Sequence, residues 1–244
     1  MTSEHYPSPR AATGKKQDVA AMFDTIAPRY DLLNRVLSMG VDRGWRKRLI
    51  RHLLADAPNR VLDVATGTAD LAIEAARRGV PNVVGVDIAE EMLAFGREKL
   101  EGLQGRVELR FGDAENLPFE DASFDAAMVA FGVRNFEDLD AGLRDMGRVL
   151  RPGGKLLVLE FSHPTSFPIK QVYSVYSRHI LPRVGGWLSG DSGAYRYLPD
   201  SIAVFPDGEA FLERMRSAGF TDVVQERLTF GIASLYIGRV PTAG

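Results

Sequence analysis

The sequence predicts an α/β fold, in which a mostly parallel sheet of seven strands carries helices on both faces. Three observations support this prediction. From residue 60 onward, short apolar runs alternate with helical segments, which is the order of β-α-β units. The first five runs are rich in apolar residues, as is typical of parallel strands buried on both faces. The last two runs are joined by the short turn Phe230-Gly231, so these two strands must be antiparallel.

Each element can be assigned along the chain. The predicted strands are 60–65, 82–88, 106–113, 124–131, 154–162, 221–229 and 232–240, and the helices among them are 68–79, 89–101, 137–150 and 207–219. Three more helices precede the first strand: one ends at Pro28, a short one covers 30–38, and a third starts at Asp42. The first of these three has apolar residues at the spacing of one helix face: Val19, Met22, Phe23 and Ile26.

The composition fits one domain, because the chain has 244 residues and 45% of them are hydrophobic. We expect a disordered tail over residues 1–16 and a single domain over 17–244. That domain includes N-terminal helices (17–56) and an aromatic-rich insertion (163–206) that serves as a cap. No apolar run reaches the roughly 18–20 residues that span a bilayer, and no secretory signal is recognisable, so we expect a cytoplasmic protein.

The composition also argues against several classes of function. The chain has no cysteine, which excludes disulfides and thiolate catalysis. The four histidines show no metal-binding spacing, so no metal is expected. A formal net charge of -2 gives no electrostatic footprint for nucleic acid, and no nucleic-acid partner is expected.

A cofactor site is predicted at the carboxyl ends of the first three strands. The stretch VLDVATGTADLA (61–72) has the pattern of a strand, a tight turn and a helix start, and ligands of open parallel sheets bind at such turns. Gly67 lets the chain turn and lets a ligand approach the backbone. Asp87 ends the second strand, where it can accept hydrogen bonds from a ribose diol. The third strand ends in GDAENLPF, which makes Asp113 and Ala114 further candidates.

Two classes of cofactor compete for this loop. A dinucleotide-binding loop typically has three glycines in the pattern G-x-G-x-x-G, whereas this loop has one. Asp63 and Asp70 would also bring negative charge near the pyrophosphate of a dinucleotide, which is unfavourable. A ligand with an amino-acid end and a sulfonium suits the acids better. Asp63 can orient the loop or meet the ammonium group, Thr68 can bond to the amino-acid end, and Asp113 can accept from the adenine amino group. Each acid alone also has a structural explanation, but together they favour S-adenosylmethionine.

Four stretches resemble the UbiE/MenG family of quinone-biosynthesis C-methyltransferases. They are YDLLNRVLSMGVDRGW (30–45), FGVRN (131–135), RVLRPGGKLLVLEFS (148–162) and AYRYLPDSIAVFPD (194–207), in the family's order. The resemblance runs from about Gln17 to Val240. It implies a Rossmann-like, class I S-adenosylmethionine-dependent methyltransferase. It also implies methyl transfer to a ring carbon of demethylmenaquinol, an isoprenoid quinol, giving menaquinol.

Three positions depart from the family's pattern. Asp42 stands where histidine is usual, Arg151 where lysine is usual, and Ala130 where some members have a serine at the cofactor. The first exchange puts any role of that histidine in doubt, whereas the third favours menaquinone-type over ubiquinone-type members. Methylation of a benzoquinol, or of another small phenol or lipid, stays an alternative. A nucleotide-binding oxidoreductase and a non-catalytic binding module are alternatives from other classes.

Arg134 and Asn135, at the end of the fourth strand, are predicted to be catalytic. A quinol carbon becomes nucleophilic when the neighbouring hydroxyl loses its proton, and a cation beside that oxygen lowers its pKa. Arg134 can act directly or through a water, and Asn135 can donate to the same oxygen or hold the arginine. Arginine stays protonated, so a base is also needed; Tyr30, Asp31 and His163 are candidates, and the resemblance supports Tyr30. Alternatively, Arg134 is a surface residue and Asn135 a helix N-cap.

An isoprenoid tail needs an apolar channel or an opening toward a membrane. The cap and the N-terminal helices can supply it, although the aromatic residues of the cap can equally well pack only against one another. Helix 42–55 has basic residues that form either a solvated face or a peripheral membrane contact: Arg43, Arg46, Lys47, Arg48 and Arg51. A homodimer is a further option.

Overall fold

The computed structural model describes residues 14–32, 38, 40–175 and 192–242. Its helices are α1 (Lys15–Ile26), α2 (Asp42–Leu54), α3 (Asp70–Arg77), α4 (Glu90–Glu98), α5 (Leu139–Val149), α6 (Ile169–Val175), α7 (Ser192–Val204) and α8 (Glu209–Ser217). Its strands are β1 (Arg60–Val64), β2 (Asn82–Asp87), β3 (Val107–Phe111), β4 (Phe124–Ala130), β5 (Leu150–Phe161), β6 (Thr221–Leu228) and β7 (Ala233–Arg239). Short 3₁₀ turns cover Ala27–Arg29, Val133–Asn135 and Thr229–Gly231.

The seven strands form one sheet in the order β3-β2-β1-β4-β5-β7-β6. The pairs among β1 to β5 are parallel, and β7 runs antiparallel to both β5 and β6. The predicted fold class is confirmed, including the antiparallel pair at the end of the chain.

Two predicted boundaries differ from the structure. β5 begins at Leu150 rather than at residue 154, because Leu150 already pairs with Phe124 ahead of an irregularity in the ladder. The predicted helix 137–150 therefore ends at Val149. α1 begins at Lys15, so the last two residues of the predicted tail belong to a helix. Residues 1–13, residues 33–37 of the predicted helix 30–38 and residues 176–191 of the cap lie outside the described residues.

The sheet buries an apolar layer on each face, because side chains alternate along a strand. In β1, Val61 packs into one layer and Leu62 into the other. The first layer is completed by α2 and α3, whose buried side chains include Leu49 and Leu71. The second is completed by α5 and α8. Burying one such leucine stabilises the fold by about 1.5–3 kcal/mol.

The carboxyl ends of the central strands lie at the same level. Val64 at the end of β1 pairs with Val86 of β2 and with Val129 of β4. The loop after β1 turns so tightly that Ala65, Gly67 and Ala69 all have positive φ, with values of 51°, 55° and 65°. Alanine rarely adopts this conformation, and such strain is concentrated where a fold holds a functional loop.

Candidate active site

A cavity opens at the carboxyl edge of the sheet, over β1, β2 and β4. It contains about 680 Å³ of space, including the part open to solvent. Its lining includes the following predicted site residues: Tyr30, Gly67, Asp87, Asp113, Ala114 and Asn135. α1 adds a wall with Lys16, Val19 and Phe23. The structure thus brings together residues from distant parts of the sequence.

Asp87 fixes the loop after β1 and still faces the cavity. Its Oδ2 accepts a hydrogen bond from the backbone N–H of Gly67 at 2.8 Å, and its Oδ1 accepts from that of Ala89 at 2.9 Å. Burial raises the pKa of Asp87, while these two N–H groups act in the opposite direction. A carboxylate has about four lone-pair sites, so Asp87 keeps acceptor capacity for a hydroxyl of a ribose although the N–H of Ile88 also acts on it.

Asp63 and Thr68 lie beneath the loop, outside the described lining of the cavity. Asp63 is 1% exposed, and its Oδ2 accepts from the Thr66 hydroxyl at 2.6 Å. Burial raises the pKa of Asp63 to about 7. The Thr68 hydroxyl donates to Asp31 at 2.6 Å, and Asp31 also pairs with Lys99. This geometry favours the loop-orienting role for Asp63. The hydroxyl of Thr68 donates its hydrogen bond to Asp31 rather than to a ligand.

Asp113 shares a cation with its neighbour Glu115. Lys16 Nζ lies 2.7 Å from Asp113 Oδ2 and 2.8 Å from Glu115 Oε2. The other oxygen of Asp113 accepts from the backbone N–H of Glu115 at 2.9 Å. The sequence reasoning placed Lys16 in the tail and missed it. The available signal was its spacing of three and seven residues from Val19 and Phe23, on one face of a helix.

Arg134 is buried and paired with Glu160. Its side chain is 7% exposed, and Nη1 donates to Glu160 Oε1 at 3.0 Å and to the carbonyl of Phe131. Glu160 lies near the end of β5 and is fully buried. Burial raises the pKa of Glu160, and the Arg134 guanidinium opposes that effect. The alternative that Arg134 is a surface residue is therefore wrong.

Glu160 is the negative partner that the sequence reasoning missed. The signal was a glutamate within the otherwise apolar run LLVLEF. The Nε of Arg134 is also buried, and it has no hydrogen-bond partner among the described residues. A buried donor of this kind is open to a ligand or a water.

Asn135 lines the cavity and contacts the cap. Its Oδ1 accepts from the hydroxyl of Tyr197 on α7 at 3.1 Å, and its backbone N–H donates to the carbonyl of Gly132 at 3.0 Å. The N-cap of α5 is Asp138, whose side chain accepts from the N–H of Ala141 at 2.9 Å. The alternative that Asn135 caps this helix is therefore wrong.

The three candidate bases differ in position. Tyr30 lines the cavity, and its ring packs edge-on against Phe23 at a centroid distance of 5.9 Å. Asp31 is occupied by Thr68 and Lys99. His163 lies outside the described lining; its backbone N–H donates to Asp207 at 2.7 Å, and that carboxylate raises the pKa of the imidazole. Geometry therefore leaves Tyr30 beside the cavity.

The positions that depart from the family's pattern lie in three different places. Asp42 is buried at the start of α2 and accepts from the hydroxyl of Ser38 at 2.6 Å. Arg151 pairs with Asp125 at the far end of β4. Ala130 lines the cavity, so only this exchange alters its surface.

The fold and the site define a class I S-adenosylmethionine-dependent methyltransferase. Carboxylates at the ends of β2 and β3, in a largely apolar cavity, suit a nucleoside that carries a cationic sulfonium. Among solved structures, a SAM-dependent methyltransferase of Thermotoga maritima, described as a possible histamine N-methyltransferase, is similar with a TM-score of 0.64 and 21% identity, over 90% of this chain and 98% of that one. The [4+2]-cyclase SpnF has the same fold, with a TM-score of 0.69 and 20% identity, over 98% and 99% of the two chains.

The chain belongs to the ubiE/COQ5 methyltransferase family, whose model matches residues 11–239. A demethylmenaquinone methyltransferase of Deinococcus radiodurans is 49% identical over 239 residues, which cover 98% of this chain and 99% of the relative. A ubiquinone/menaquinone biosynthesis C-methyltransferase UbiE of Geobacter sulfurreducens is 48% identical over 230 residues, covering 93% and 90%. The predicted family is confirmed.

Proposed function

We propose that the protein transfers a methyl group from S-adenosylmethionine to a ring carbon of demethylmenaquinol, giving menaquinol. The observation that carries the proposal is the Arg134–Asn135 pair at the end of β4, with Asn135 in the lining of the cavity and Arg134 anchored behind it. The name of the Deinococcus radiodurans relative supports the naphthoquinol as acceptor. The name of the Geobacter sulfurreducens relative covers both quinone classes, so a benzoquinol is the second candidate.

The cavity residues have separate roles in holding the methyl donor, which supplies an electrophilic methyl group on sulfur. In the proposal, Asp87 accepts from the ribose hydroxyls, and Asp113 with Ala114 meets the adenine. Gly67 lets the donor approach the backbone, whereas Asp63 and Thr68 hold the loop in shape from below. The proposal includes no metal, and no group of His, Asp and Glu residues in the described part of the chain has the arrangement of a metal site.

The acceptor oxygen is held by Asn135 and Arg134. Because Arg134 lies outside the described lining and Glu160 offsets much of its charge, we assign the direct hydrogen bond to the amide of Asn135 and a supporting electrostatic role to the guanidinium of Arg134. Both stabilise the quinolate, in which charge moves onto the neighbouring ring carbon. Preorganised donors of this kind contribute about 10²–10³ in rate each. The phenol of Tyr30, at the cavity wall, relays the hydroxyl proton to water. The sulfur leaves as S-adenosylhomocysteine, and the methylated carbon then loses its own proton to restore the quinol.

The first experiment measures transfer of a labelled methyl group to a short-tailed demethylmenaquinone, with and without reduction by dithionite. Product in the reduced sample alone is expected, because only the quinol can form a quinolate. Arg134→Ala should lower turnover by at least about tenfold and leave S-adenosylhomocysteine binding nearly unchanged, both measured below the Tm of the variant, because the substitution also breaks the ion pair with Glu160. Equal product without reduction would refute the quinolate mechanism, and product with a benzoquinol alone would favour the second candidate.

We also propose that the protein acts in the cytoplasm and touches the inner face of the membrane, where an isoprenoid quinol resides. Three cations lie on the exposed side of α2: Arg43, Lys47 and Arg51. Phe167 and Phe230, which are 81% and 74% exposed, follow the ends of β5 and β6 at the same edge as the cavity. No helix in the described part of the chain has the length and apolar character needed to cross a bilayer.

Cosedimentation with liposomes tests this contact. Binding to anionic liposomes at low salt, reduced at high salt and in a Phe167→Ser/Phe230→Ser variant, is the expected result. Val224→Ser is the matched control, because Val224 is also exposed but lies within β6. The contact is refuted if wild type stays in solution at low salt. Sedimentation equilibrium decides the proposed homodimer separately.

A further inference from the structure

In the described part of the cap, the phenol of Tyr197 contacts a residue of the cavity wall. Tyr197 lies on α7, is only 5% exposed, and donates its hydroxyl proton to Asn135 Oδ1 at 3.1 Å. The two residues are 62 positions apart in the sequence. Among the residues that the structure describes, Asn135 is the only hydrogen-bond partner of this hydroxyl. The contact therefore joins the cap to a residue of the cavity wall.

This contact decides which way the amide of Asn135 points. A side-chain amide has an acceptor oxygen at one end and a donor NH₂ group at the other. Burial raises the pKa of Tyr197, so its hydroxyl keeps the proton that it donates. If the amide were reversed, that proton would have no acceptor among the described residues, which is costly in a buried position. The oxygen is therefore held toward the cap.

Hydrogen bonds also fix the backbone at Asn135. Its N–H is bonded to the carbonyl of Gly132, and the preceding N–H, that of Arg134, faces Glu160 Oε2 at 3.4 Å. Arg134 and Glu160 also act electrostatically on Tyr197, the first lowering and the second raising its pKa. The phenol, the amide and the buried ion pair thus form one compact cluster.

We propose that Tyr197 is a positioning residue, which holds the Nδ2 end of Asn135 toward the cavity as a hydrogen-bond donor for the acceptor oxygen. This inference rests on the proposed function and adds a residue to it. Tyr197 acts only through Asn135, and it makes the cap necessary for a complete site.

A double-mutant cycle tests the proposal in the full-length protein. Tyr197→Phe keeps the ring and removes the hydroxyl, and it should lower kcat by about tenfold, the equivalent of one ordinary hydrogen bond. The Kd of S-adenosylhomocysteine should stay unchanged. In an Asn135→Ala background the same substitution should have no further effect on kcat. An equal loss in that background, or wild-type kcat in Tyr197→Phe, overturns the proposal.

Tyr236→Phe is the matched control. Tyr236 is fully buried, and its hydroxyl accepts from the backbone N–H of Gly208 at 2.8 Å, within the core. The substitution should lower stability without lowering kcat.

A second readout does not depend on turnover. In isotope-labelled protein, the side-chain NH₂ signal of Asn135, assigned by its loss in Asn135→Ala, should shift in Tyr197→Phe and stay in place in Tyr236→Phe. An unmoved signal in Tyr197→Phe also overturns the proposal. If wild type transfers no methyl group to the quinol, the proposed function fails, and the NMR signal still decides whether Tyr197 holds Asn135.

Discussion

Glu160→Gln should destabilise the protein strongly, although it changes one charge and almost no volume. Glu160 is fully buried, and its partner Arg134 has a side chain that is 7% exposed. The substitution leaves the guanidinium buried without its counter-charge. It keeps the shape of the side chain and one oxygen that can accept from Nη1 of Arg134 at 3.0 Å, so the loss reports the charge and the second acceptor oxygen rather than the packing.

The size of the expected loss in unfolding free energy follows from the cost of an unpaired buried charge. Breaking a buried ion pair by removing one partner costs about 3–5 kcal/mol. A chain of 244 residues loses about 2–4 °C in Tm per kcal/mol, so a drop of about 6–20 °C is expected. Replacing both partners, with Arg134→Met and Glu160→Leu together, removes the charge imbalance and should restore most of the stability.

The assay is urea unfolding followed by circular dichroism, with S-adenosylhomocysteine binding as a check that the cavity persists. The double variant should be stable, should still bind the ligand and should have lost methyl transfer. A Glu160→Gln protein within about 0.5 kcal/mol of wild type would refute the reasoning, since that is the size of an ordinary surface effect.

Three other predictions concern the fold. The pKa of Asp63 is higher in the folded protein than in the unfolded chain, so the stability that its proton contributes is lost as the pH rises from about 4 to about 7. A plot of unfolding free energy against pH should therefore fall in that window, and Asp63→Asn should make the fall shallower by up to about 1.4 kcal/mol per pH unit. Gly85→Ala should lower the free energy of unfolding in urea by about 1–3 kcal/mol, because the new Cβ would lie 2.7 Å from Leu109 Cδ2 and 2.8 Å from Thr66 Oγ1. Gly44→Ala is the control: its new Cβ would have no atom within 4 Å, so the substitution should be neutral or stabilising. Leu143→Ala should cost about 2–5 kcal/mol by the same measurement, because Leu143 is fully buried between α5 and the sheet, and a smaller loss than 1 kcal/mol would contradict that packing.

The sequence predicts the sheet well because its signals are local. Apolar runs and the turn at Phe230 need no knowledge of distant residues, and the rule that ligands bind at strand ends leads directly to Asp87 and Asp113. The early start of β5 was missed because pairing of Leu150 with Phe124 depends on a neighbouring strand.

The side-chain contacts within the site are harder to predict from the sequence. Arg134 and Glu160 are 26 positions apart, at the ends of neighbouring strands, and the sequence around either residue does not indicate that the two form a pair. Lys16 and Asp113 are separated by 97 positions. Tyr197 was one aromatic residue among several in the insertion, and only the contact with Asn135 distinguishes it. Such pairings are products of the tertiary fold, which local patterns do not encode.

The wall that α1 contributes to the cavity has a consequence for the order in which the protein is made. Lys16 leaves the ribosome long before its partners Asp113 and Glu115, so these two ion pairs cannot form until β3 and the turn after it have been synthesised. The α1 wall of the cofactor pocket is therefore completed late in biogenesis. A ligand that contacts both α1 and the sheet binds the folded protein and not the unfolded chain, so it should pull newly made chains toward the folded state by mass action.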